Sequence, residues 1–361
     1  DRRLLENMVT IPSSYPSEYE LGEYLERYLS SNGFNVASQQ VAADRHNIFA
    51  TKGRGHRAIL FYGHLDTVPL TSRAQWQTDP FSLTEIDGNL FGLGTYDMKG
   101  GISAFVEACA NSKSYCKILL TVDEENWSAG IWKAIAEKSD FFDDVELIIS
   151  AEPNFGLGLN GVTNARTSRY LYTVTFDGKP AHVANYQDGV DAVNILGKFI
   201  ADFYATREEL FHVNGSYAQI RSVGGSAMGM SVCGISTAEI EVLAAPGETL
   251  ESVRLKIQSL TTFGVIPKTR PTPYLPGYIF TAFPYQDTIR EVIKKHTGLD
   301  MELKSRKSVA DDNALATLGI PVITWGPDGG NAHAPNEYVK INSLNILSKM
   351  YLELLNNKEK I

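Results

Sequence analysis

The stretch Ala58-Ile59-Leu60-Phe61-Tyr62-Gly63-His64-Leu65-Asp66-Thr67 opens with five apolar residues and carries a histidine and an aspartate toward its end. A strand with one wet face alternates apolar and polar residues. One that is apolar at every position is covered on both faces, as the inner strands of a parallel sheet are. Lys117 to Val122 and Leu147 to Ser150 read as further buried strands, and Pro321 to Trp325 as another near the C-terminus. Helical patterns lie between and around them, at Gly101 to Ala110, Ser128 to Lys138, Asp287 to His296 and Asp311 to Leu318. Earlier in the chain, Leu21, Leu25 and Leu29 with Tyr24 and Tyr28 form an apolar stripe at helical spacing from Ser17 to Ser31, which Asn32-Gly33 stops. Asn47 to Thr51 reads as a strand. Strand and helix in alternation predict an α/β fold with a mixed, largely parallel sheet and helices on both faces.

The pattern changes after Gly161. Tyr170 to Phe176 alternates as an antiparallel strand does, Gly189 to Thr206 is helical, Tyr217 to Ile220 and Thr237 to Leu243 are strands, and Glu248 to Thr261 is a helix preceded by Pro246-Gly247. A β-α-β-β-α order inside a parallel α/β chain predicts an inserted α+β domain. The expected division is a catalytic domain from 1–164 and 275–361, with the insert over 165–274.

A length of 361 residues leaves room for both domains, and 43% hydrophobic with 21% charged residues is ordinary for a globular protein. A formal net charge of −9 argues against a nucleic-acid partner, whose phosphates need an excess of Lys and Arg. No apolar stretch approaches the roughly 20 residues of a membrane-spanning helix, so no membrane partner is expected. Cys109, Cys116 and Cys233 are odd in number and form no CxxC pair, which suits a reducing compartment. With no apolar leader at the N-terminus, the expected location is cytoplasmic.

Ligands of open α/β sheets gather at the carboxyl ends of the strands. His64, Glu124 with Glu125, and Glu152 each follow a buried strand, and the loop of His333 follows Pro321 to Trp325. Asp97 sits in a turn after Gly92-Leu93-Gly94 and reaches the same edge from another loop. Taken singly, each has a plain alternative: a solvated loop, a turn aspartate, a helix cap. Jointly they supply two imidazoles and several carboxylates, the donor set of a site for two divalent cations. Zn²⁺ suits such mixed ligation, with Co²⁺ or Mn²⁺ as substitutes. Two cations about 3.5–4 Å apart share a water, lower its pKa and polarise an acyl oxygen. In Asp123-Glu124-Glu125 neighbouring side chains point different ways, so one carboxylate binds metal while the other stays free as general base. Asp66, two residues after His64, is placed to orient that imidazole. No GxSxG elbow and no P-loop is present.

These motifs resemble the zinc-dependent aminoacylase and peptidase family, which includes acetylornithine deacetylase, succinyl-diaminopimelate desuccinylase and carboxypeptidases. Gly63-His64-Leu65-Asp66-Thr67-Val68-Pro69 looks like the family's first signature, and Trp76 to Lys99 is closest to the acetylornithine deacetylase branch. The resemblance implies that His64 and Glu152 bind one zinc, Glu125 and His333 the other, and Asp97 bridges, with a cis peptide after it. It implies Glu124 as general base, Asp66 as the group that orients His64, and His182 of Gly178-Lys179-Pro180-Ala181-His182 as a donor to the oxyanion. It also implies that the insert is a lid and dimerisation domain in a homodimer. The implied reaction removes the acyl group from a small-molecule N-acyl amino acid, acetylornithine-like and therefore of arginine biosynthesis, by attack of a metal-bridged hydroxide. A dipeptide or N-succinyl substrate on the same scaffold is the neighbouring alternative. A non-catalytic binding protein of this fold is the alternative of another class.

Two positions depart from the family pattern. Gly224-Gly225-Ser226-Ala227-Met228-Gly229-Met230 lacks the Asn that follows the paired glycines, and Glu241-Val242-Leu243 carries Leu where relatives carry Arg. Loss of a bidentate Arg from a carboxylate site is not conservative. Arg166, Arg169, Arg306 and Lys307 are candidates to replace that charge.

Overall fold

The computed structural model describes residues 2–358. The chain divides into two compact units. One takes the chain up to Asn164, Phe280–Ser305 and the chain from Ala310 onward; the other takes Ala165–Ile279 and Arg306–Val309. The division differs from 165–274 at the return. Tyr278 pairs with Arg166 and Ile279 with Ala165, and Thr167 N–H donates to the Arg306 carbonyl, so these stretches stay with the second unit.

The first unit is built on a mixed sheet. Its strands run in the order Asn35–Ala42, Arg45–Lys52, Cys116–Thr121, Ala58–His64, Val145–Ser150, Val322–Thr324, then Gly161–Arg166. The four in the middle are parallel, and their neighbours on either side are antiparallel. All seven residues of Ala58–His64 are buried, which is why this strand is apolar throughout. Phe61 stacks on Phe105 at 5.6 Å and meets Tyr351 edge-on at 5.0 Å, so the helices Gly100–Asn111 and Ile341–Asn357 join one core. Leu21, Leu25 and Leu29 of the helix Tyr19–Ser31 are wholly buried in that core.

Register decides where the functional residues stand. His64 lies opposite Thr121, Tyr62 opposite Ser150, and Ser150 opposite Thr324, so the carboxyl ends of the parallel strands are level. Pairing carries Ala58–His64 two residues further than its apolar run, and His64 is its last residue. A separate small sheet, in the order Gly329–Gly330, Tyr338–Lys340, Asn89–Phe91, Thr84–Ile86, sets the segment that follows Phe91 beside the loop 331–337.

The second unit is an antiparallel sheet, ordered Tyr217–Gly225, Ile235–Ala244, Ser168–Asp177, Val265–Pro267, with the helices Ala192–Leu210 and Leu250–Gln258. Ser168–Asp177 buries alternate residues, as its sequence alternation requires. The long helix starts at Ala192 rather than 189, because the Asp191 carboxylate accepts the Val193 amide and caps it there. Val183–Asp188 before it winds as a short 3₁₀ segment. Among the described residues no helix is long and apolar enough to cross a membrane.

Candidate metal centre

The end of Ala58–His64 places the His64 ring, fully buried, with its Nδ1 donating to the backbone carbonyl of Asp66 at 2.8 Å. Nε2 then faces outward, 3.2 Å from Asp97 Oδ1 and 3.5 Å from Glu152 Oε1. The other Asp97 oxygen, Oδ2, lies 3.2 Å from His333 Nε2, which is also 2.9 Å from Glu125 Oε1. Five residues from five separate segments thus stand in one chain of contacts, with Asp97 between the two imidazoles. Ligand atoms of His64, Glu124 and Glu152 also lie within 4.8 Å of one another, so Glu124 borders the same space. The Asp97–Met98 peptide is cis.

Asp66 faces both His64 and the acidic turn. Its carboxylate is 3.7 Å from His64 Nδ1 and is engaged elsewhere as well: Oδ1 accepts the Glu124 amide at 3.2 Å and Oδ2 the Glu125 amide at 2.9 Å. The Asp66 main chain holds the imidazole, its carboxylate stands within ion-pair distance of the same nitrogen, and that carboxylate also holds the acidic turn. That turn is fixed from its other end as well. Asp123 has a φ of 76°, a left-handed conformation that aspartate tolerates better than most residues. Its carboxylate accepts from Arg45 and from the Ala129 amide, each at 3.0 Å, while Arg45 is also held by Glu18.

The electrostatics are those of an acid-rich pocket. Hydrogen bonds to Asp97 and Glu125 push the His333 imidazole up to about 10. Burial opposes protonation of His64, but hydrogen bonds to Asp97 and Glu152 overcome it and raise that ring well above its usual value. Burial would raise Asp97, yet His333 and His64 hold it far below the carboxylate range. Burial, with the Glu152 charge beside it, pushes Glu124 well up. Burial likewise raises Asp66, to about 7, against the pull of His64. Asp97, Glu124, Glu125 and Glu152 crowd around two imidazoles, and both rings are driven toward the cationic form. The cluster demands positive charge, and its nitrogen and oxygen donors are those that divalent cations of the zinc type take. The residues fit such ions.

His182 belongs to the second unit, where it is exposed and its Nδ1 accepts the Ala184 amide at 3.1 Å. In the same unit Arg169 is paired with Glu241 at 2.6 Å, and Arg166 is buried with a hydrogen bond to Ser308. Asp311 escaped the sequence reading, which took it only as a helix start. It is wholly buried and accepts from Tyr62 Oη at 2.6 Å and Thr121 Oγ1 at 3.2 Å. Two adjacent acids in Ala310-Asp311-Asp312 were the signal available for it.

Residues 60–357 match the model of peptidase family M20/M25/M40. The chain belongs to that family. It is a hydrolase of the M20 group. Among curated relatives, acetylornithine deacetylase of Buchnera aphidicola subsp. Schizaphis graminum is 27% identical, over 98% of this chain and 97% of the relative. Among solved structures, aminopeptidase PepT of Bacillus cereus ATCC 10987 matches with a TM-score of 0.82 and 20% identity, covering 99% of each chain. A dinuclear metal binding peptidase of the M20 family from Bacillus subtilis matches with a TM-score of 0.72 and 15% identity, covering 100% of this chain and 98% of its own. These likenesses establish the M20 fold: a mixed α/β unit with a mostly parallel sheet, carrying an inserted α+β unit.

Proposed function

We propose that this M20 hydrolase removes the acyl group from an N-acyl amino acid of the acetylornithine kind, using a pair of divalent cations. The position of Asp97 between His64 and His333 carries the reading, because a carboxylate with one oxygen toward each imidazole is arranged to bridge two ions. His64 and Glu152 would hold one cation and His333 and Glu125 the other, with Asp97 shared. Zn²⁺ matches the donors, and Co²⁺ or Mn²⁺ would substitute. When bound, such a pair lowers the pKa of a water and polarises the acyl oxygen of the substrate.

The chain supplies the rest. Glu124 stands beside His64 and Glu152 but is not needed by either ligand set, so it accepts the proton of the attacking water and returns it to the leaving amine. Asp66 keeps Glu124 and Glu125 in their separate directions through their amides. His182 donates to the developing oxyanion, an assignment supported by its lid motif alone. The deacetylase relative, matched along nearly its whole length, supports an N-acyl amino acid substrate and a place in arginine biosynthesis. Homodimerisation through the second unit is supported by its outer strand Tyr217–Gly225 and by exposed Val223, Met228, Met230 and Ile235. The cysteine count supports a cytoplasmic location.

A peptidase reading is supported by one observation: the fold matches that of aminopeptidase PepT over 99% of each chain. A panel of N-acetylornithine, N-succinyl-diaminopimelate, dipeptides and tripeptides, run with Zn²⁺ and with Co²⁺, separates the two. The deacetylase reading expects N-acetylornithine to give the highest kcat/KM. A di- or tripeptide that outruns it replaces that reading with the peptidase one.

A further inference from the structure

The loop Ala332-His333-Ala334-Pro335-Asn336-Glu337 ends on an acid that none of the steps above uses. Glu337 is buried, with 2% of its surface exposed. Its Oε2 accepts the Gly94 amide at 2.7 Å, and its Oε1 accepts the amides of Tyr96 at 2.9 Å and Asp97 at 2.8 Å. Its own carbonyl accepts the Gly92 amide at 3.1 Å. One residue therefore gathers four main-chain donors of the turn that delivers Asp97.

That turn satisfies only some of its own donors: Thr95 N–H donates to the Gly92 carbonyl and Lys99 N–H to the Gly94 carbonyl, while the amides of Gly94, Tyr96 and Asp97 go to Glu337. Gly94 has a φ of 76°, and Asp97 a φ of −117° with ψ 94°, so the backbone leaves the helical course in which amides bond within the segment. A buried amide left without a partner carries its full desolvation penalty. A carboxylate offers several acceptor sites and no donor, whereas Gln would turn an NH₂ group toward one of the amides. The small sheet sets this up, since Tyr338 pairs with Phe91 and Val339 with Leu90. Glu337 thus lies just before one paired strand, and the Gly92–Asp97 turn just after the other.

We propose that Glu337 is a positioning residue that locks the Asp97 turn to the His333 loop, so that the two Asp97 oxygens stand between His64 and His333. The inference rests on the two-cation reading. Its test is calorimetric titration of Zn²⁺ into chelator-stripped wild type and Glu337→Gln, with thermal melts of both stripped proteins. The expected result is a loss of about 10–100-fold in Zn²⁺ affinity in the variant, the range for groups that orient metal ligands. Wild-type affinity in a folded Glu337→Gln, whatever its melting temperature, reduces the residue to a structural one and overturns the inference. A wild type that takes up no Zn²⁺ instead sinks the two-cation reading itself. Should the variant fail to fold, hydrogen exchange of wild-type residues 92–99 decides. Slow exchange at Gly94, Tyr96 and Asp97 supports the lock, and exchange at the rate of an open loop overturns it.

Discussion

The Asp66 carboxylate holds the backbone amide of Glu125 at 2.9 Å, and its second oxygen holds that of Glu124 at 3.2 Å. An amide in place of the carboxylate leaves one oxygen and sets an NH₂ group against an N–H. Asp66→Asn is expected to loosen the acidic turn and to lower kcat/KM by about 10–100-fold, with Zn²⁺ content falling alongside. The assay is steady-state kinetics with metal analysis on the same preparation. An Asn variant as active as wild type would show that the turn holds its shape without this carboxylate.

Glu124 lies with His64 and Glu152 within 4.8 Å, and the proposed function makes it the general base rather than a ligand. In Glu124→Gln the amide cannot take a proton. Turnover is expected to fall by about 10²–10⁴-fold while bound metal stays at the wild-type level. Metal loss in step with activity would instead make Glu124 a ligand and leave the base unassigned.

Removing the metal tests the centre as a whole. Dialysis against a chelator is expected to abolish activity and lower the melting temperature, because an ion that binds only the folded state stabilises it. Zn²⁺ or Co²⁺ restores both. A stripped protein with full activity refutes the metal mechanism.

The legible parts of the molecule are those in which a local pattern and a tertiary demand coincide. Ala58–Tyr62 is apolar because both its faces are covered, so sequence and burial agree. Asn35–Ala42 shows no strand pattern in its sequence because it is a polar edge strand: Ser38 and Gln40 are exposed, while the buried Gln39 donates to Glu137 and to the Lys133 carbonyl. The helix Ile341–Asn357 carries a mixed run whose buried face emerges only against the core that receives it. The candidate ligands could be found because acids and histidines at the ends of buried strands are conspicuous. The work of Asp66, Asp311 and Glu337 could not be read off. Each bonds to atoms remote in sequence, and two of the three bond chiefly to main-chain amides, which carry no sequence signature.

Acid stability has a local contributor in Asp144. Partial burial pushes its carboxyl up, but hydrogen bonds from Lys117 and Tyr115 outweigh that and hold it below the usual carboxylate range. A group whose folded pKa is depressed adds stability above its unfolded value of about 3.9, and that stability is lost as pH falls through the folded value. Asp144→Asn is therefore expected to be less stable than wild type near pH 7, by about 1 kcal/mol. The gap should narrow toward pH 3 in urea unfolding. A gap of constant size across that range would mean that the charge on Asp144 contributes nothing.

Two glycines predict opposite responses to the same substitution. Gly101 lies in the first turn of Gly100–Asn111, and a Cβ there would collide with the Ala151 carbonyl oxygen and stand 2.9 Å from Ala151 Cβ. Gly197 lies in Ala192–Leu210, exposed, with nothing within 4 Å of the position a Cβ would take. Helix propensity alone favours Ala over Gly by about 1 kcal/mol at either site. At Gly197 nothing opposes it, so Gly197→Ala is expected to raise stability by about 0.5–1 kcal/mol. At Gly101 overpacking of about 1–3 kcal/mol outweighs the propensity gain. Ala151 precedes Glu152, so relief of the clash also displaces a candidate ligand. Gly101→Ala is expected to melt lower and to bind Zn²⁺ more weakly, both read from melts with and without the ion. If Gly101→Ala were stabilised like Gly197→Ala, the close approach of the helix to the strand end would be wrong.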